Sequence, residues 1–293
     1  MAATFKSWIA KFRWASMLMK IIVINTAVFA ILSVLKVISV LFMAPGLFSD
    51  VLRFVSLPSD LGELLVMPWT LLTYMFSQYE IFHTLFNMLW LYWFGSIFCQ
   101  LTFPKRLLPV YIYGGLAGAL LFLVAFNTLP LFVHTTATLI GSSASVLAVV
   151  CATAMIAPDY RVNLLFLGGV SIKWIAIVTV AIDFLSLTGG NFGGHIAHLG
   201  GALMGVVYAL ALRRGTDLAA PLNRLCDKIA NLLKPRPKIV QQPKQKRGKN
   251  VKKETASMDE IDTILDKIKK SGYTSLTPEE RSKLFSAGQK YKS

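Results

Sequence analysis

Seven polar side chains that could take part in proton transfer or hydrogen bonding stand in otherwise apolar segments of this 293-residue chain. They are His83 and Asn87 in one segment, Ser142, Ser143 and Ser145 in a second, and His195 and His198 in a third. A serine hydroxyl becomes a good nucleophile when an adjacent base removes its proton, and histidine is the usual base. Acyl transfer also needs hydrogen-bond donors for the developing oxyanion, and His83, Asn87 and the backbone N–H of Ser143 are candidates. The set contains what peptide hydrolysis requires.

Each of these side chains also has a purely structural interpretation. Serine in a membrane helix often bonds the carbonyl group four residues back, and the run GSSAS is compatible with close helix packing. Histidines near the end of a membrane span are often interfacial, and Asn87 can join two helices by a hydrogen bond. The spans predicted below bring all the side chains to one depth, which favours the catalytic interpretation.

The composition indicates a membrane protein. The sequence is 55% hydrophobic and 15% charged, with a mean hydropathy of +0.57, whereas soluble domains carry about 25% charged residues. The formal net charge of +15 arises from basic residues in the C-terminal tail and in short loops, which indicates membrane orientation and no nucleic-acid partner. Cys99, Cys151 and Cys226 are too scattered for a disulfide framework or a zinc site. We therefore expect packing cysteines, no metal and no cofactor.

Hydropathy predicts an all-α, polytopic bundle of six transmembrane helices. The predicted spans are 20–43, 82–103, 107–127, 138–157, 172–188 and 195–212. Apart from Lys36 near the outer end of the first span and Arg53 in the first outer segment, the basic residues of the spans and their connections fall on one side. Both termini are therefore predicted to be cytoplasmic. Spans two, four and six then run in the same direction, which places Ser143 and His198 about 5 to 10 Å below the outer surface.

The remaining segments have different compositions. We expect a cytoplasmic N-terminal segment (1–19), the membrane domain (20–214), a basic flexible linker (215–256) that starts with an amphipathic stretch, and a small helical cytoplasmic segment (257–293). In that last segment, Ser257 is predicted to cap a helix that Gly272 ends, and Thr277 to open a second one. Within the membrane domain, the segment 44–81 is predicted to be interfacial, with Trp69 and Tyr74 at headgroup level.

Three motifs together resemble the rhomboid family of intramembrane serine proteases. HTLFN (83–87) is similar to its HxxxN element, GSSA (141–144) to its GxSx nucleophile motif, and HLGGALMG (198–205) to its HxxGxxxG element. The resemblance covers residues 15–212. It implies that Ser143 is the nucleophile, that His198 is the base, and that His83 and Asn87 help to bind the oxyanion. Gly141, Gly201 and Gly205 are expected to allow close helix packing at the site.

The implied function is that of an endopeptidase that cleaves in or near transmembrane segments of membrane protein substrates through a Ser–His dyad. Its partners would be such substrates and the lipid bilayer. The tail is similar to those of Bacteroidetes rhomboids, which implies a bacterial inner membrane. A rhomboid-like protein that binds membrane clients without cleaving them, and a small transporter, are the alternatives.

The sequence departs from the family pattern beside the proposed base. Many family members carry an aromatic residue four positions after the nucleophile, where this chain has Leu147. We therefore expect packing alone to orient the base. Asp183, in the fifth predicted span, is expected to be a helix-end or interfacial group, not a third member of the site.

Overall fold

Helices account for most of the residues that the computed structural model describes, which are 15–132, 134–164, 168–233 and 258–290. The chain divides into two units, Met1–Lys234 and Pro235–Ser293. The helices of the first unit are α1 (Met17–Leu41), α2 (Pro45–Val55), α3 (Leu61–Val66), α4 (Thr70–Thr73), α5 (Ile81–Leu101), α6 (Leu107–Thr128), α7 (Ser143–Ile156), α8 (Ile172–Leu185), α9 (Phe192–Arg213) and α10 (Ala219–Leu233). Two antiparallel ladders accompany them, β1 (Leu57–Pro58) with β2 (Thr138–Leu139) and β3 (Arg161–Leu164) with β4 (Gly168–Ser171).

The apolar helices confirm the predicted all-α membrane fold. Among the described residues, four helices are long and apolar enough to cross a bilayer: α1, α5, α6 with its preceding turn, and α9. They lie where the first, second, third and sixth spans were predicted. Helices α7 and α8 have 14 residues each, about 21 Å of helix against a hydrocarbon core of about 30 Å. They occupy the fourth and fifth predicted spans, so the count of six spans stays a prediction.

Helix α7 begins five residues later than the predicted span 138–157, because the residues before it have other backbone partners. Pairing with β1 keeps Thr138–Leu139 extended. Gly141 follows with φ +131°, a conformation that favours glycine, and its N–H donates to the carbonyl of Tyr74 at 3.0 Å. Gly141 was expected to serve helix packing. It lies before the helix instead, and its backbone conformation leads the chain into Ser143.

Helix α7 forms the centre of the bundle. Every residue from Ala144 to Ala154 is buried, and the helix packs against α5, α6, α8 and α9. Small side chains dominate this helix, so its neighbours can approach closely. The first turn of α7 is thus surrounded by other helices.

The segment 44–81 connects α1 to α5 through short helices. Trp69 is 39% exposed and its indole N–H donates to the carbonyl of Phe54 at 2.9 Å. Tyr74 is 1% exposed, and its hydroxyl donates to the carbonyl of Gly115 at 2.5 Å. Tyr74 is therefore held inside the bundle, where a backbone carbonyl of α6 satisfies its hydroxyl, and its position at headgroup level stays a prediction.

Helix α10 occupies the start of the region assigned to the flexible linker, where the amphipathic stretch was predicted. Residues 234–256 of that linker lie outside the described residues. Just before the helix, the Asp217 carboxylate accepts the Ala219 N–H at 2.9 Å and two guanidinium N–H groups of Arg106 at 3.0 and 2.8 Å. Burial alone would raise the pKa of Asp217, but the hydrogen bonds from Arg106 and Ala219 and the positive charge of Arg106 together outweigh it and hold the pKa below its usual value.

The second unit contains two helices, α11 (Met258–Ser271) and α12 (Pro278–Lys290). Gly272 follows α11 with φ +76°, as expected of the residue that ends it. Thr277 and Glu280 cap α12 reciprocally through their side chains, at 2.7 and 3.3 Å. Ser257, the predicted cap of α11, lies outside the described residues. The predicted end of the first helix and start of the second are confirmed.

Replacing Asp217 by alanine is expected to loosen the first turn of α10, because the Ala219 N–H loses its acceptor and Arg106 its partner. Loss of such a cap costs about 1 kcal/mol, so amide hydrogen exchange there should accelerate about fivefold. Asp217→Asn keeps an acceptor without the charge and should have a smaller effect. Because the pKa is lowered, the contribution is present at neutral pH and is lost as the pH falls through the pKa of folded Asp217. Unchanged exchange in both variants would contradict this assignment.

Candidate active site

Ser143 stands at the N-terminus of α7, directly opposite a histidine of α9. As the first residue of the helix, it has a backbone N–H without a helical acceptor. Its Oγ lies 2.6 Å from Nε2 of His198. His198 is in the second turn of α9, which begins at Phe192. The structure thus places the predicted nucleophile and base within hydrogen-bond distance.

The other ring nitrogen of His198 contacts a carboxylate. Nδ1 lies 2.8 Å from Oδ1 of Asp183, near the C-terminal end of α8. The Asp183 side chain is 8% exposed and that of His198 is 19% exposed. Asp183 does lie in the last turn of its helix, as one of the two expectations had it, but it is buried against His198 and does not stand apart from the site. The expectation that packing alone orients His198 was wrong. Helix packing decides which neighbour the side chain of Asp183 points towards on this short apolar helix. The sequence pattern does not encode that direction.

His195, the second histidine of this segment, bonds the same carboxylate oxygen. Its Nδ1 lies 2.9 Å from Oδ1 of Asp183. The rings of His195 and His198 are 5.8 Å apart and nearly perpendicular. Both histidines of α9 therefore contact Asp183, and His198 also contacts Ser143.

Glycines bring α9 close to α7. A Cβ atom on Gly201 would lie 2.1 Å from the carbonyl oxygen of Ala144, and one on Gly205 would lie 2.3 Å from that of Ala148. Both distances are far shorter than any van der Waals contact. The two glycines therefore set the spacing of the helices that carry Ser143 and His198.

Two cavities flank the Ser143–His198 pair. The larger, of about 350 Å³, is lined by polar residues that include His83, Asn191 and Glu80. The smaller, of about 190 Å³, is lined by apolar side chains that include Phe86 and Trp90, and by Asn87 and Asp183. His83 and Asn87, four residues apart on α5, thus border the pair in different cavities.

A chain of buried amide and hydroxyl groups supports Asn87. Its side-chain N–H donates to Gln78 at 2.7 Å, and Gln78 donates in turn to Asn25 at 3.1 Å. Asn25, fully buried in α1, donates to the hydroxyl of Tyr111 at 3.1 Å. The sequence analysis missed this network. Asn25 within an apolar span was the available signal, because such a group needs a partner in the membrane.

One group of side chains has the composition of a metal site. Among the described residues, the potential ligand atoms of Asp183, His195 and His198 lie within 4.8 Å of one another. The sequence analysis predicted no metal. The Nδ1 atoms of both histidines are already within hydrogen-bond distance of the carboxylate, so an ion would have to displace these contacts.

Comparison with known proteins assigns two parts of the chain to domain families. Residues 66–215 match the Rhomboid domain family, and residues 249–287 match a family of unknown function, DUF6576. The chain is 31% identical over 141 residues to "Presenilin-associated rhomboid-like protein A, mitochondrial" of Danio rerio, covering 45% of this chain and 34% of the relative. It is 29% identical over 157 residues to "RHOMBOID-like protein 12, mitochondrial" of Arabidopsis thaliana, with coverages of 50% and 47%.

The Rhomboid domain match covers half of the chain, and the chain belongs to the rhomboid family. The human "Presenilin-associated rhomboid-like protein, mitochondrial" is 28% identical over 175 residues. The chain spans about a third to a half of the length of these curated relatives. They are eukaryotic mitochondrial proteins by name, so the bacterial origin inferred from the tail stays a prediction.

Gly201→Ala is expected to abolish peptide cleavage while the bundle stays folded, because the added methyl group must push α9 away from the Ala144 carbonyl. The change would separate His198 from Ser143. Gly190→Ala is the control, since a Cβ atom there meets nothing within 4 Å. Cleavage of a model substrate and thermal unfolding in detergent should be measured together. Wild-type cleavage by Gly201→Ala, or by the bulkier Gly201→Leu, would contradict the prediction.

Proposed function

We propose that this protein is an intramembrane serine endopeptidase in which Ser143 and His198 form a catalytic dyad. The observation that carries the proposal is the 2.6 Å distance between Ser143 Oγ and His198 Nε2. Membership of the rhomboid family, whose members are typically intramembrane serine proteases, supports the same chemistry. Both residues occupy the motif positions that the family uses for nucleophile and base.

The reaction proceeds by acyl transfer through an acyl-enzyme. The Ser143 hydroxyl attacks the scissile carbonyl carbon and passes its proton to Nε2 of His198. The imidazolium then protonates the leaving amine as the C–N bond breaks. Water next attacks the acyl-enzyme, with His198 as base, and releases the second product while Ser143 regains its proton.

Donors around Ser143 would stabilise the tetrahedral oxyanion. The N–H of Ser143, which has no acceptor within its own helix, lies at the positive end of α7. His83 lines the polar cavity beside Ser143, and Asn87 lines the other. One amide hydrogen of Asn87 is used by Gln78, which fixes the side chain and leaves the second hydrogen for substrate. Such fixed donors lower the barrier without reorganisation during the reaction.

The substrates we propose are membrane proteins that present a transmembrane segment to the site. A peptide bond inside a helix is covered by its own hydrogen bonds, so the segment must unwind locally before it can reach Ser143. The polar cavity, lined in part by Gln78, Glu80 and Asn191, provides space for water. A multi-pass location with both termini cytoplasmic belongs to this proposal, and the distribution of basic residues favours that orientation. The bacterial inner membrane is proposed from the resemblance of the tail alone.

Purified protein is expected to cleave a single-span model substrate, and Ser143→Ala is expected to abolish cleavage. Ser145→Ala is the matched control on the same helix. The Ser145 hydroxyl is buried, and within the described part of the chain it has no hydrogen-bond partner. Cleavage by Ser143→Ala would disprove the nucleophile. A folded wild-type protein that binds substrates without cutting any would favour the alternative, a rhomboid-like protein that holds membrane clients.

His83→Ala and Asn87→Ala are each expected to reduce kcat about 10²- to 10³-fold with a smaller change in KM, the range seen when one oxyanion donor is lost. Steady-state kinetics of substrate cleavage measure both constants. Phe82→Ala, on an exposed position of the same helix, is the control. A change confined to KM would assign His83 and Asn87 to substrate binding instead of to the oxyanion.

A further inference from the structure

We infer that Asp183 is a positioning residue for His198, so that the site functions as a Ser–His–Asp triad and not as a dyad. This inference rests on the proposed function, because it concerns how the base of that reaction is held. Asp183 would touch neither substrate nor the reacting atoms. It would act through Nδ1 of His198.

The three side chains form a continuous line of contacts. Oγ of Ser143 lies 2.6 Å from Nε2 of His198, and Nδ1 of His198 lies 2.8 Å from Oδ1 of Asp183. The residues come from three different helices, α7, α9 and α8. Both contacts are short enough to be well-formed hydrogen bonds.

The carboxylate determines which nitrogen of the imidazole can act as base. A neutral imidazole carries one N–H group and one lone pair. An ionised carboxylate only accepts hydrogen bonds, so it retains the hydrogen on Nδ1 of His198 and leaves the lone pair on Nε2, facing Ser143. After proton transfer, the negative charge of Asp183 also stabilises the imidazolium, and more strongly at a buried site than in water.

The residue beside the ring could not provide this selection. Leu147, 6% exposed, lines the same cavity as His198 and Asp183. An aliphatic side chain restricts the position of the ring, but it does not distinguish an N–H group from a lone pair. Asp183 distinguishes them through the charge on its oxygen.

His195 gives the carboxylate a second donor. A carboxylate with a side chain only 8% exposed is costly unless it is hydrogen-bonded. Nδ1 of His195, at 2.9 Å from the same oxygen, supplies a second hydrogen bond. His195 therefore supports the position of Asp183, one step further from Ser143.

The test compares Asp183→Asn with wild type in the full chain. Asparagine keeps the size and one carbonyl oxygen but carries no charge, so a merely structural role would survive. We expect kcat to fall about 10²- to 10⁴-fold, the order found when such an aspartate is replaced in serine proteases, with KM and thermal unfolding nearly unchanged. Ile182→Ala, the preceding position on α8 and 57% exposed, is the control and should keep wild-type kcat.

Three results would overturn the inference. The first is a kcat for Asp183→Asn within about threefold of wild type. The second is an equal loss in His195→Ala, which would assign the effect to the cluster and not to the contact with the base. The third is loss of wild-type cleavage with a chelator and recovery with Zn²⁺, which would make Asp183 a metal ligand. Failure of wild type to cleave would instead refute the proposed function, so the two failures are distinguishable.

Discussion

The site depends on how closely α7 and α9 approach each other. Between helices in a membrane there is little hydrophobic driving force, so packing of small residues decides their separation. Here the backbone of Gly201 lies against the carbonyl of Ala144. Gly201 is three residues after His198, and Ala144 is one residue after Ser143. A third helix is fitted in the same way, since a Cβ atom on Gly118 of α6 would lie 2.7 Å from Cβ of Ala144. A hydrogen bond between side chains of separate helices survives only if that spacing is kept within a fraction of an ångström.

A set of polar groups inside the bundle is paired through hydrogen bonds, and this pairing helps to hold the site. The amide chain from Asn25 through Gln78 to Asn87 links α1 to α5 across the segment between them. Tyr74 and Tyr111 hold that segment through carbonyl groups, at 2.5 and 2.6 Å. Each group would be costly to bury alone, so the partners restrain each other. These hydrogen bonds therefore restrain the side chain of Asn87 beside Ser143.

Local sequence patterns predicted the features that are determined by residues close together along the chain. The long apolar helices follow from hydropathy, and the four-residue interval between His83 and Asn87 places both on one side of α5. The start of α7 was missed because β2 pairs with β1, about eighty residues earlier. The facing of Asp183 and the burial of Tyr74 were missed for the same reason, since tertiary packing decides both. That Ser143 should meet His198 came from the family resemblance, and the coordinates place the two in contact.

The most direct test of the central claim is labelling with a fluorophosphonate, which reacts with serine hydroxyls that an adjacent base activates. Mass spectrometry of the digested protein locates the adduct. We expect a single adduct on the peptide that contains Ser143, absent in Ser143→Ala and strongly reduced in His198→Ala. An adduct on another serine, or equal labelling of Ser143 without His198, would contradict the claim that the imidazole activates this hydroxyl.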